Sequence, residues 1–367
     1  MHRVTSFVAV TAVALSAASP RPALAQHSGT MTVEDYAPRS SLVVPSHPVT
    51  RARFPFVDVH GHQGRLSTAA DVDKLVAEMD ALNMRAMVNL SGGSGDRLAR
   101  MVQLMDHHPG RFVVFANVDF RGVGTPGWTE RTVAQFATDV TAGGAGGLKI
   151  FKNLGLDVRD ASGQRVTVDD PRLDALWAKA GELGLPVLIH SGEPQPLFDP
   201  MDRFNERWLE LKTHPERGRP SDRYPTFEQI MGEQRRMFRK HPRTTFVAAH
   251  LAWRGNDLLT LGAMLDSLPN VVTEVAAVAH ELARQPQFAR QWLTRYQDRV
   301  MFGKDTYNPA EYGAYFRIFE TADEYFDWIR PYAGGWKLYG LDLPEVVLRK
   351  IYSENAERLY PGLRRSN

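Results

Sequence analysis

The sequence predicts an α/β protein whose main domain is a (β/α)8 barrel, the TIM barrel fold. Eight short runs of apolar and β-branched residues follow one another along the chain, and single amphipathic helical patterns separate most of them. Strands that alternate with single helices form right-handed βαβ units in a parallel sheet. An open doubly wound sheet is the alternative, but no Gly-rich phosphate-binding loop follows the first run. The barrel is therefore favoured.

The predicted strands and helices extend through residues 53–363, which we assign to the barrel. The strands are 54–59, 86–91, 112–118, 145–151, 185–190, 244–249, 270–275 and 299–304. The clearest helices, by the spacing of their apolar residues, are 71–83, 171–184 and 256–268. Gly184 is suited to the end of its helix because glycine readily adopts the left-handed conformation found there.

The first strand ends in the sequence Asp58-Val59-His60-Gly61-His62. Because side chains alternate along a strand, Asp58, His60 and His62 should share one face, and the intervening valines should pack against covering helices. Two imidazoles two residues apart can converge on one metal ion. Histidine and aspartate also collect at strand ends simply because they are polar, so this motif alone does not decide between the two interpretations.

Three later strands end in the same manner. His190 follows the apolar run 185–189, His250 follows 244–249, and Asp305 follows 299–304. A single histidine in such a place is more often a hydrogen-bonded structural residue. Repetition at several strand ends favours a shared site, because a barrel brings the C-terminal ends of its strands together at one mouth.

Two long insertions are predicted, one after strand five at residues 191–225 and one after strand eight at residues 306–340. The second is rich in Tyr, Phe and Trp. Aromatic residues at this density are expected to form a satellite core or a subunit contact, which makes a homodimer possible. The alternative is that they form the wall of a pocket for a planar ligand.

The N-terminal residues are typical of an export signal. A weakly basic start is followed by the apolar stretch 4–18 and by the small residues Ala23-Leu24-Ala25. We predict a signal peptide over residues 1–25, cleavage after Ala25, and a periplasmic or secreted protein. Polar and proline residues interrupt the apolar stretch, so no membrane anchor is expected in the mature form. Residues 26–52 should form an extended lead-in.

Composition excludes several classes of function. The formal net charge is +2 and no basic stripe carries interleaved aromatic residues, which argues against a nucleic-acid partner. The absence of cysteine excludes disulfides, cysteine zinc sites and thiol catalysis, and it suits an oxidising compartment. The expected partner is a small-molecule substrate.

Taken together, these motifs resemble the amidohydrolase superfamily. The resemblance is to the amidohydrolase-related branch that includes aminocarboxymuconate-semialdehyde decarboxylase and dicarboxylate lactonases. It covers the chain from about residue 54 to residue 360 and rests on five segments: 58–62, 187–190, 248–250, 301–305 and 351–359.

The resemblance implies a role for each singled-out residue. His60, His62 and His190 would be metal ligands, Asp305 a metal-bound carboxylate and proton acceptor, and His250 an acid/base or electrophilic residue. Three imidazoles and one carboxylate suit one divalent ion, Zn²⁺ first and Mn²⁺ as the alternative. Such an ion lowers the pKa of a water molecule and polarises a carbonyl group.

Two lysines of strand four, Lys149 and Lys152, leave the number of metals open. Some superfamily members carry a carboxylated lysine on this strand that bridges two metals, and His250 would then bind the second ion. Strand parity does not tell which lysine faces inward, because both faces of a barrel strand are apolar. We favour one metal, with Lys149 or Lys152 contacting the substrate.

The resemblance implies one of two reactions. The first is hydrolysis of an ester, lactone or amide bond of a small, anionic molecule through a metal-activated water. The alternative is non-oxidative decarboxylation of a small aromatic or unsaturated carboxylic acid with the same ligands. A non-catalytic binding protein is disfavoured, because every expected ligand is present in the sequence.

Overall fold

The computed structural model describes residues 31–33, 35–330 and 335–363. The predicted signal peptide, residues 1–25, lies outside the described residues and stays a prediction. The chain divides into two units, residues 1–42 and 43–367. In the first, the hydroxyl of Thr32 donates to Asp35 at 2.8 Å. No helix in the described part of the chain is long and apolar enough to cross a membrane.

The second unit contains a parallel β-barrel, as predicted. Its strand segments are β1 Phe56–Gly61, β2 Met84–Asn89, β3 Phe112–Val114, β4 Ala116–Asn117, β5 Leu148–Ile150, β6 Val187–Ile189, β7 Phe246–Ala248, β8 Val271–Glu274 and β9 Val300–Met301. They pair in the order β1-β2-β3 and β4-β5-β6-β7-β8-β9, and every pair is parallel. Segments β3 and β4 together occupy the third strand position, so the segments fill eight positions.

Backbone hydrogen bonds connect the two parts of the sheet. At the third strand, the amide of Phe115 donates to the carbonyl of Asn89, and the next amide donates to Gly147, so one strand serves both neighbours. On the other side, the amide of Val59 donates to the carbonyl of Phe302 at 3.0 Å. First and last strands therefore meet, which closes the barrel.

The helices surround the strands. They are α1 Ala69–Leu82, α2 Asp96–Met105, α3 Trp128–Thr141, α4 Asn153–Leu156, α5 Asp174–Glu182, α6 Trp208–Thr213, α7 Phe227–Lys240, α8 Leu258–Ser267, α9 Ala279–Ala283, α10 Pro286–Arg295, α11 Tyr312–Glu320, α12 Glu345–Arg349 and α13 Asn355–Leu359. Thr68 closes the start of α1 with a capping box. Gly184 has φ of 65° just beyond α5, the left-handed conformation expected for it.

Apolar side chains form two clusters. The larger one lies between the strands and the covering helices. The smaller one combines alternate residues of six strand segments with C-terminal residues that include Tyr360, and it fills the barrel interior. Successive side chains of a strand enter the two clusters in turn, so both faces of each strand are buried. This explains why the strand sequences are apolar almost throughout.

The two predicted insertions contain secondary structure of their own. Residues 191–225 form short turns and α6, whereas residues 306–340 contain α11 and the antiparallel pair β10 Phe326–Asp327 and β11 Lys337–Leu338. On α11, the rings of Tyr312 and Phe316 pack against Phe56 and Phe302. Most of the aromatic residues described in this insertion thus belong to the main core and do not form a separate satellite core.

Candidate metal centre

Five residues that the sequence singled out lie at the C-terminal ends of barrel strands. His60 belongs to β1 and His62 follows it, His190 follows β6, His250 follows β7, and Asp305 lies beyond β9. These strands are far apart in the sequence but end at the same mouth of the barrel.

Regular alternation fails at the end of β1, and this failure decides where His60 points. Val57 and Val59 belong to the cluster inside the barrel, whereas Asp58 accepts a hydrogen bond at 2.6 Å from the Tyr312 hydroxyl of the covering α11. The register with β2 shifts after Asp58, which marks a β-bulge, and His60 turns inward. The prediction that the valines face the helices and that Asp58 shares a face with His60 is therefore wrong, because the bulge breaks the two-residue period.

His60, His62 and Asp305 form a compact group whose ligand atoms all lie within 4.8 Å of one another. Oδ1 of Asp305 is 3.8 Å from Nε2 of His60 and 3.4 Å from Nε2 of His62. The side chain of His60 is fully buried, while those of His62 and Asp305 are 27% and 30% exposed. The group is thus open to solvent on one side.

The hydrogen bonds of His250 and His190 define their tautomers. Nδ1 of His250 lies 2.8 Å from the carbonyl oxygen of Ala276, which only accepts, so His250 carries its proton on Nδ1. Nε2 of His250 then accepts from Nδ1 of His190 at 3.2 Å. This leaves a lone pair on Nε2 of His190, an atom that is buried and has no hydrogen-bond partner among the described residues.

His60 and His62 are held in a similar way. Nδ1 of His60 lies 2.9 Å from Oε1 of Glu274, which leaves its Nε2 free to bind a metal. Nδ1 of His62 lies 2.9 Å from Oγ of Ser91, and its Nε2 faces Asp305.

Electrostatics favour the protonation states that metal binding needs. Burial is the main cause that lowers the pKa of His60 and His190 well below the usual value. Burial and the Lys149 ammonium lower the pKa of His62 to about 4. Burial alone would raise the pKa of Asp305, but neighbouring positive charge outweighs it and lowers this pKa. With the histidines neutral, the positive charge that remains is the Lys149 ammonium. Neutral imidazoles beside an ionised carboxylate are ready to act as ligands.

The structure answers which lysine faces inward. Lys149 is fully buried, and its Nζ lies 3.3 Å from Nε2 of His60, so the ammonium donates to the lone pair that a metal would use. Burial lowers the pKa of Lys149 to about 8. The side chain of Lys152 is 46% exposed and donates to Oε1 of Glu193 at 2.5 Å. Lys149 thus belongs to the metal centre and Lys152 to the edge of the adjacent cavity.

The donor set fits one divalent ion. Nε2 atoms of three histidines and one carboxylate oxygen are the ligands that Zn²⁺ accepts, and Mn²⁺ accepts the same mixture. The buried and unpartnered Nε2 of His190 is the observation that supports this fit. His190 lies outside the compact group of His60, His62 and Asp305, and it contacts that group through His250, whose ring is 4.7 Å from His60.

Strained backbone surrounds the site. His250, Leu251, Ala252 and Trp253 all have φ between 51° and 58°, and Asp305 has φ of 79°. Such left-handed conformations are unfavourable for residues other than glycine, by roughly 1–2 kcal/mol each. The rest of the fold must therefore hold these residues in place, as is common at functional sites.

A cavity of about 130 Å³ adjoins the site. His190 and Asp305 contribute to its wall, together with the rings of Trp253, Tyr315 and Trp328. Its cationic side chains are Lys152, Arg207, Arg217 and Arg330. A larger cavity of about 600 Å³ lies elsewhere, beside residues 195–206, and its described lining includes no member of the metal centre.

Sequence reasoning missed two residues of the site. Glu274 is fully buried between His60 and His250, although an acidic residue inside the predicted strand 270–275 was an available signal. Trp253 stacks on His250 with ring centroids 4.5 Å apart. Trp253 reaches the site only through the left-handed turn, for which the sequence carries no glycine as a signal.

A parallel barrel that gathers histidines and an aspartate at the C-terminal ends of its strands is the architecture of a metal-dependent barrel enzyme. The sequence profile of one such family, described as amidohydrolase, matches residues 49–362. The chain therefore belongs to the amidohydrolase family. A sequence search against curated proteins found no match.

Solved structures share the fold at low sequence identity. An uncharacterised TIM-barrel protein from Bordetella bronchiseptica is 16% identical, with a TM-score of 0.54 over 85% of this chain and 100% of that chain. The 2,6-dihydroxybenzoate decarboxylase from Rhizobium is 15% identical, with a TM-score of 0.54 over 84% of this chain and 99% of that chain. A dihydroxybenzoic acid decarboxylase from Polaromonas sp. JS666 is 13% identical, with a TM-score of 0.55 over 85% of this chain and 98% of that chain. Its structure contains bound manganese and the inhibitor 2-nitroresorcinol.

Proposed function

We propose that this protein is a metal-dependent hydrolase that cleaves an ester, lactone or amide bond of a small, anionic molecule. The observation that carries the proposal is the grouping of Asp305 with the Nε2 atoms of His60 and His62, together with the buried Nε2 of His190, which has no partner among the described residues, at the same mouth of the barrel. His60, His62, His190 and Asp305 would hold one divalent ion, which when bound activates water and polarises a carbonyl group.

The proton transfers fall to two side chains. The free oxygen of Asp305 would accept the proton of the attacking water, because an ionised carboxylate is a base within reach of the ligand group. His250 would take up this proton at the lone pair of Nε2 and pass it to the leaving group. Since Nε2 now accepts from His190 at 3.2 Å, that bond must open during the reaction.

The charge of the cavity supports an anionic substrate. Lys152 is paired with Glu193, and Arg207 is paired with Glu210. By contrast, the guanidinium of Arg330 lies 4.0 Å from its nearest carboxylate partner among the described residues, and its side chain is 36% exposed. A cation held so loosely at the cavity is well placed to bind a carboxylate of the substrate.

The second candidate is decarboxylation of a small aromatic or unsaturated carboxylic acid. It is favoured by the three aromatic rings in the cavity wall, Trp253, Tyr315 and Trp328, which suit a planar substrate. The solved decarboxylases of dihydroxybenzoate share this fold. The manganese in one of them makes Mn²⁺ a reasonable alternative to Zn²⁺ in either reaction.

One experiment distinguishes the two reactions. Protein loaded with Zn²⁺ or Mn²⁺ is assayed against esters, lactones, amides and aromatic acids in heavy-oxygen water, with Asp305→Asn as the control. Hydrolysis places heavy oxygen in the product acid, whereas decarboxylation releases carbon dioxide without placing it there. We expect the first result, and its loss both on chelation and in the Asp305→Asn variant. Turnover that survives complete removal of the metal contradicts the proposal.

A further inference from the structure

The carboxylate of Glu274 occupies the centre of the site without belonging to the group that faces the cavity. Glu274 ends β8 and is fully buried. Its Oε1 accepts from Nδ1 of His60 at 2.9 Å and from the backbone amide of His250 at 2.7 Å. Its Oε2 accepts from the backbone amide of Ala276. Both oxygens are therefore engaged by N–H groups of the site.

The bond to His60 sets a tautomer. A carboxylate oxygen accepts hydrogen bonds, so the proton of the neutral imidazole lies on Nδ1 and the lone pair lies on Nε2. That Nε2 points towards Asp305 and Lys149, where a metal would bind. An imidazole left to itself could carry its proton on either nitrogen, and one of the two tautomers cannot bind a metal through Nε2.

The bond to His250 fixes a strained turn. The amide of His250 begins the left-handed segment that ends at Trp253, and Oε1 of Glu274 accepts from it at 2.7 Å. The same oxygen thus bonds one metal-ligand candidate and one proton-transfer candidate. Two residues on different strands thereby keep a constant relative position.

The surrounding backbone leaves the carboxylate little freedom. A Cβ atom added at Gly303 would lie 2.9 Å from Oε2 of Glu274 and 3.1 Å from Cβ of His60. The segment that directly follows β9 therefore packs against the carboxylate. Glycine is needed at this position for that close approach.

We propose that Glu274 is a positioning residue, which holds His60 in the tautomer that presents Nε2 to the metal and anchors the turn that carries His250. The proposal rests on the metal-dependent function proposed above. Atoms of His60, His250 and Glu274 also lie close enough to hold an ion themselves. Against that arrangement, both oxygens of Glu274 already accept N–H bonds.

The test compares Glu274→Met with Glu274→Gln and with a matched control, Glu320→Met. Methionine has nearly the shape of glutamate but removes the acceptor, whereas glutamine keeps one acceptor oxygen. Glu320 is also a buried carboxylate, but it accepts from Tyr352 and the backbone of Arg53. Loss of either carboxylate should lower stability, so stability alone does not report the role.

Two measurements report the role directly. In the metal-free protein, isotope-edited NMR of the ring nitrogens gives the tautomer of His60, assigned by the signal that His60→Gln removes. A chelator competition gives the dissociation constant for Zn²⁺. Because the Lys149 ammonium also favours a lone pair on Nε2 of His60, the variants are compared in a Lys149→Met background. There we expect Glu274→Met to move His60 towards the Nε2–H tautomer and to weaken Zn²⁺ binding about 10- to 100-fold. Glu274→Gln should recover part of both, and Glu320→Met should change neither.

The proposal is overturned if metal-free wild-type protein shows His60 as the Nε2–H tautomer, a measurement that needs no variant to fold. It is also overturned if Glu274→Met leaves tautomer and affinity unchanged in the Lys149→Met background, or if this variant loses one of two bound ions, which would make Glu274 a ligand. If the proposed function itself is wrong, the wild-type protein binds no divalent ion. The tautomer of His60 in the metal-free protein still tests the role of Glu274 in that case.

Discussion

At the mouth of this barrel, the use of each histidine depends on which ring nitrogen is free. His60 gives Nδ1 to a carboxylate and His250 gives Nδ1 to a carbonyl oxygen, and both contacts fix the proton on that atom. His190 in turn donates to His250, and its own Nε2 is left over. The types of these residues and their positions along the strands could be predicted from sequence. Which ring nitrogen of each histidine carries the proton could not, because that depends on hydrogen-bond partners from other strands.

The tautomer of His250 leads to the first prediction. His250→Ala should retain the bound metal and lose about 10²–10⁴ in turnover, the usual effect of losing a positioned acid or base. The physical reason is that both ring nitrogens of His250 already have hydrogen-bond partners, the carbonyl oxygen of Ala276 at Nδ1 and the ring of His190 at Nε2. Metal analysis and steady-state kinetics on the same preparation check both parts.

His108→Ala is a suitable control, because His108 pairs with Asp73 away from the site. It should retain both the metal and the turnover. A fall in metal content in His250→Ala alone would make His250 a ligand, and would favour the two-metal arrangement over the one proposed here.

Lys149 leads to the second prediction. Its ammonium lies 3.3 Å from Nε2 of His60 and therefore repels a divalent ion at that nitrogen. Lys149→Met should bind Zn²⁺ roughly tenfold more tightly, or better, with a stoichiometry of one. The gain stays well below the full Coulomb energy, because a side chain with a pKa of about 8 can lose its proton or move away. Chelator competition measures the affinity.

The opposite result has an equally clear meaning. If Lys149 reacts with carbon dioxide to form a carbamate, its charge reverses and it becomes a bridging ligand. Lys149→Met would then lose metal, and carbon NMR of the wild-type protein would show the carbamate signal. Lys152→Met, altered at the exposed edge of the cavity, should leave metal binding as in the wild type.

At the scale of strands and helices, the sequence is most informative about position along the chain and least informative about orientation. All eight predicted strand positions are occupied, and the predicted helices correspond to α1, α5 with its preceding turn, and α8. The bulge in β1 was not predicted, although Gly61 was an available signal, since glycine within a strand often marks one. The bulge depends on pairing with β2, a contact that no local pattern contains.

Close packing between strand ends leads to the third prediction. Gly303→Ala should destabilise the protein by about 1–3 kcal/mol, the usual cost of adding a methyl group to a filled interior. The added Cβ would contact Glu274, His60 and Ala276 at 2.9, 3.1 and 3.2 Å. Because two of these residues hold the metal centre, Zn²⁺ affinity should fall as well. Urea unfolding and chelator competition give the two quantities.

Gly232→Ala serves as the matched control. Gly232 lies inside α7, where an added Cβ would meet only the flexible end of Arg236 at 3.3 Å. Alanine favours the helix by about 0.5–1 kcal/mol relative to glycine, so this variant should be slightly more stable than the wild type. Equal stability of the two variants would show that the strand ends have more room than the distances indicate.

At the scale of the whole molecule, the barrel gathers polar groups that no single segment could bury. Glu274, Lys149 and His60 come from three strands, and all three side chains are fully buried. The sequence analysis included His60 and one of two lysines as site residues but not Glu274, whose only signal was its place in a predicted buried strand. Buried polar networks of this kind depend on the assembled fold, because each member is tolerable only when its partners are in place. A homodimer and export from the cytoplasm stay predictions from the sequence.

The same burial makes the stability of the metal-free protein dependent on pH, which is the last prediction. The pKa of His62 is lowered from 6.5 to about 4, and burial lowers those of His60 and His190 well below the usual value. Between these values the unfolded chain binds protons that the folded protein excludes. The stability from the three histidines is therefore complete above pH 6.5 and is lost as the pH falls towards 4.

His62 alone should contribute up to about 3 kcal/mol of this loss. Asp58 acts in the opposite direction, because burial raises its pKa to about 6 and the folded protein then takes up a proton more readily. Burial also raises the pKa of Glu274 and Glu320, which act in the same direction as Asp58. The contribution of the histidines to the free energy of unfolding should fall from about pH 7.5 to about pH 5, and comparison with His62→Gln measures the part that belongs to His62. Urea unfolding of chelated protein across that range measures the slope. In His62→Gln the slope should be shallower. An unchanged slope in that variant would mean that His62 binds protons equally in the folded and unfolded protein, which contradicts the lowered pKa.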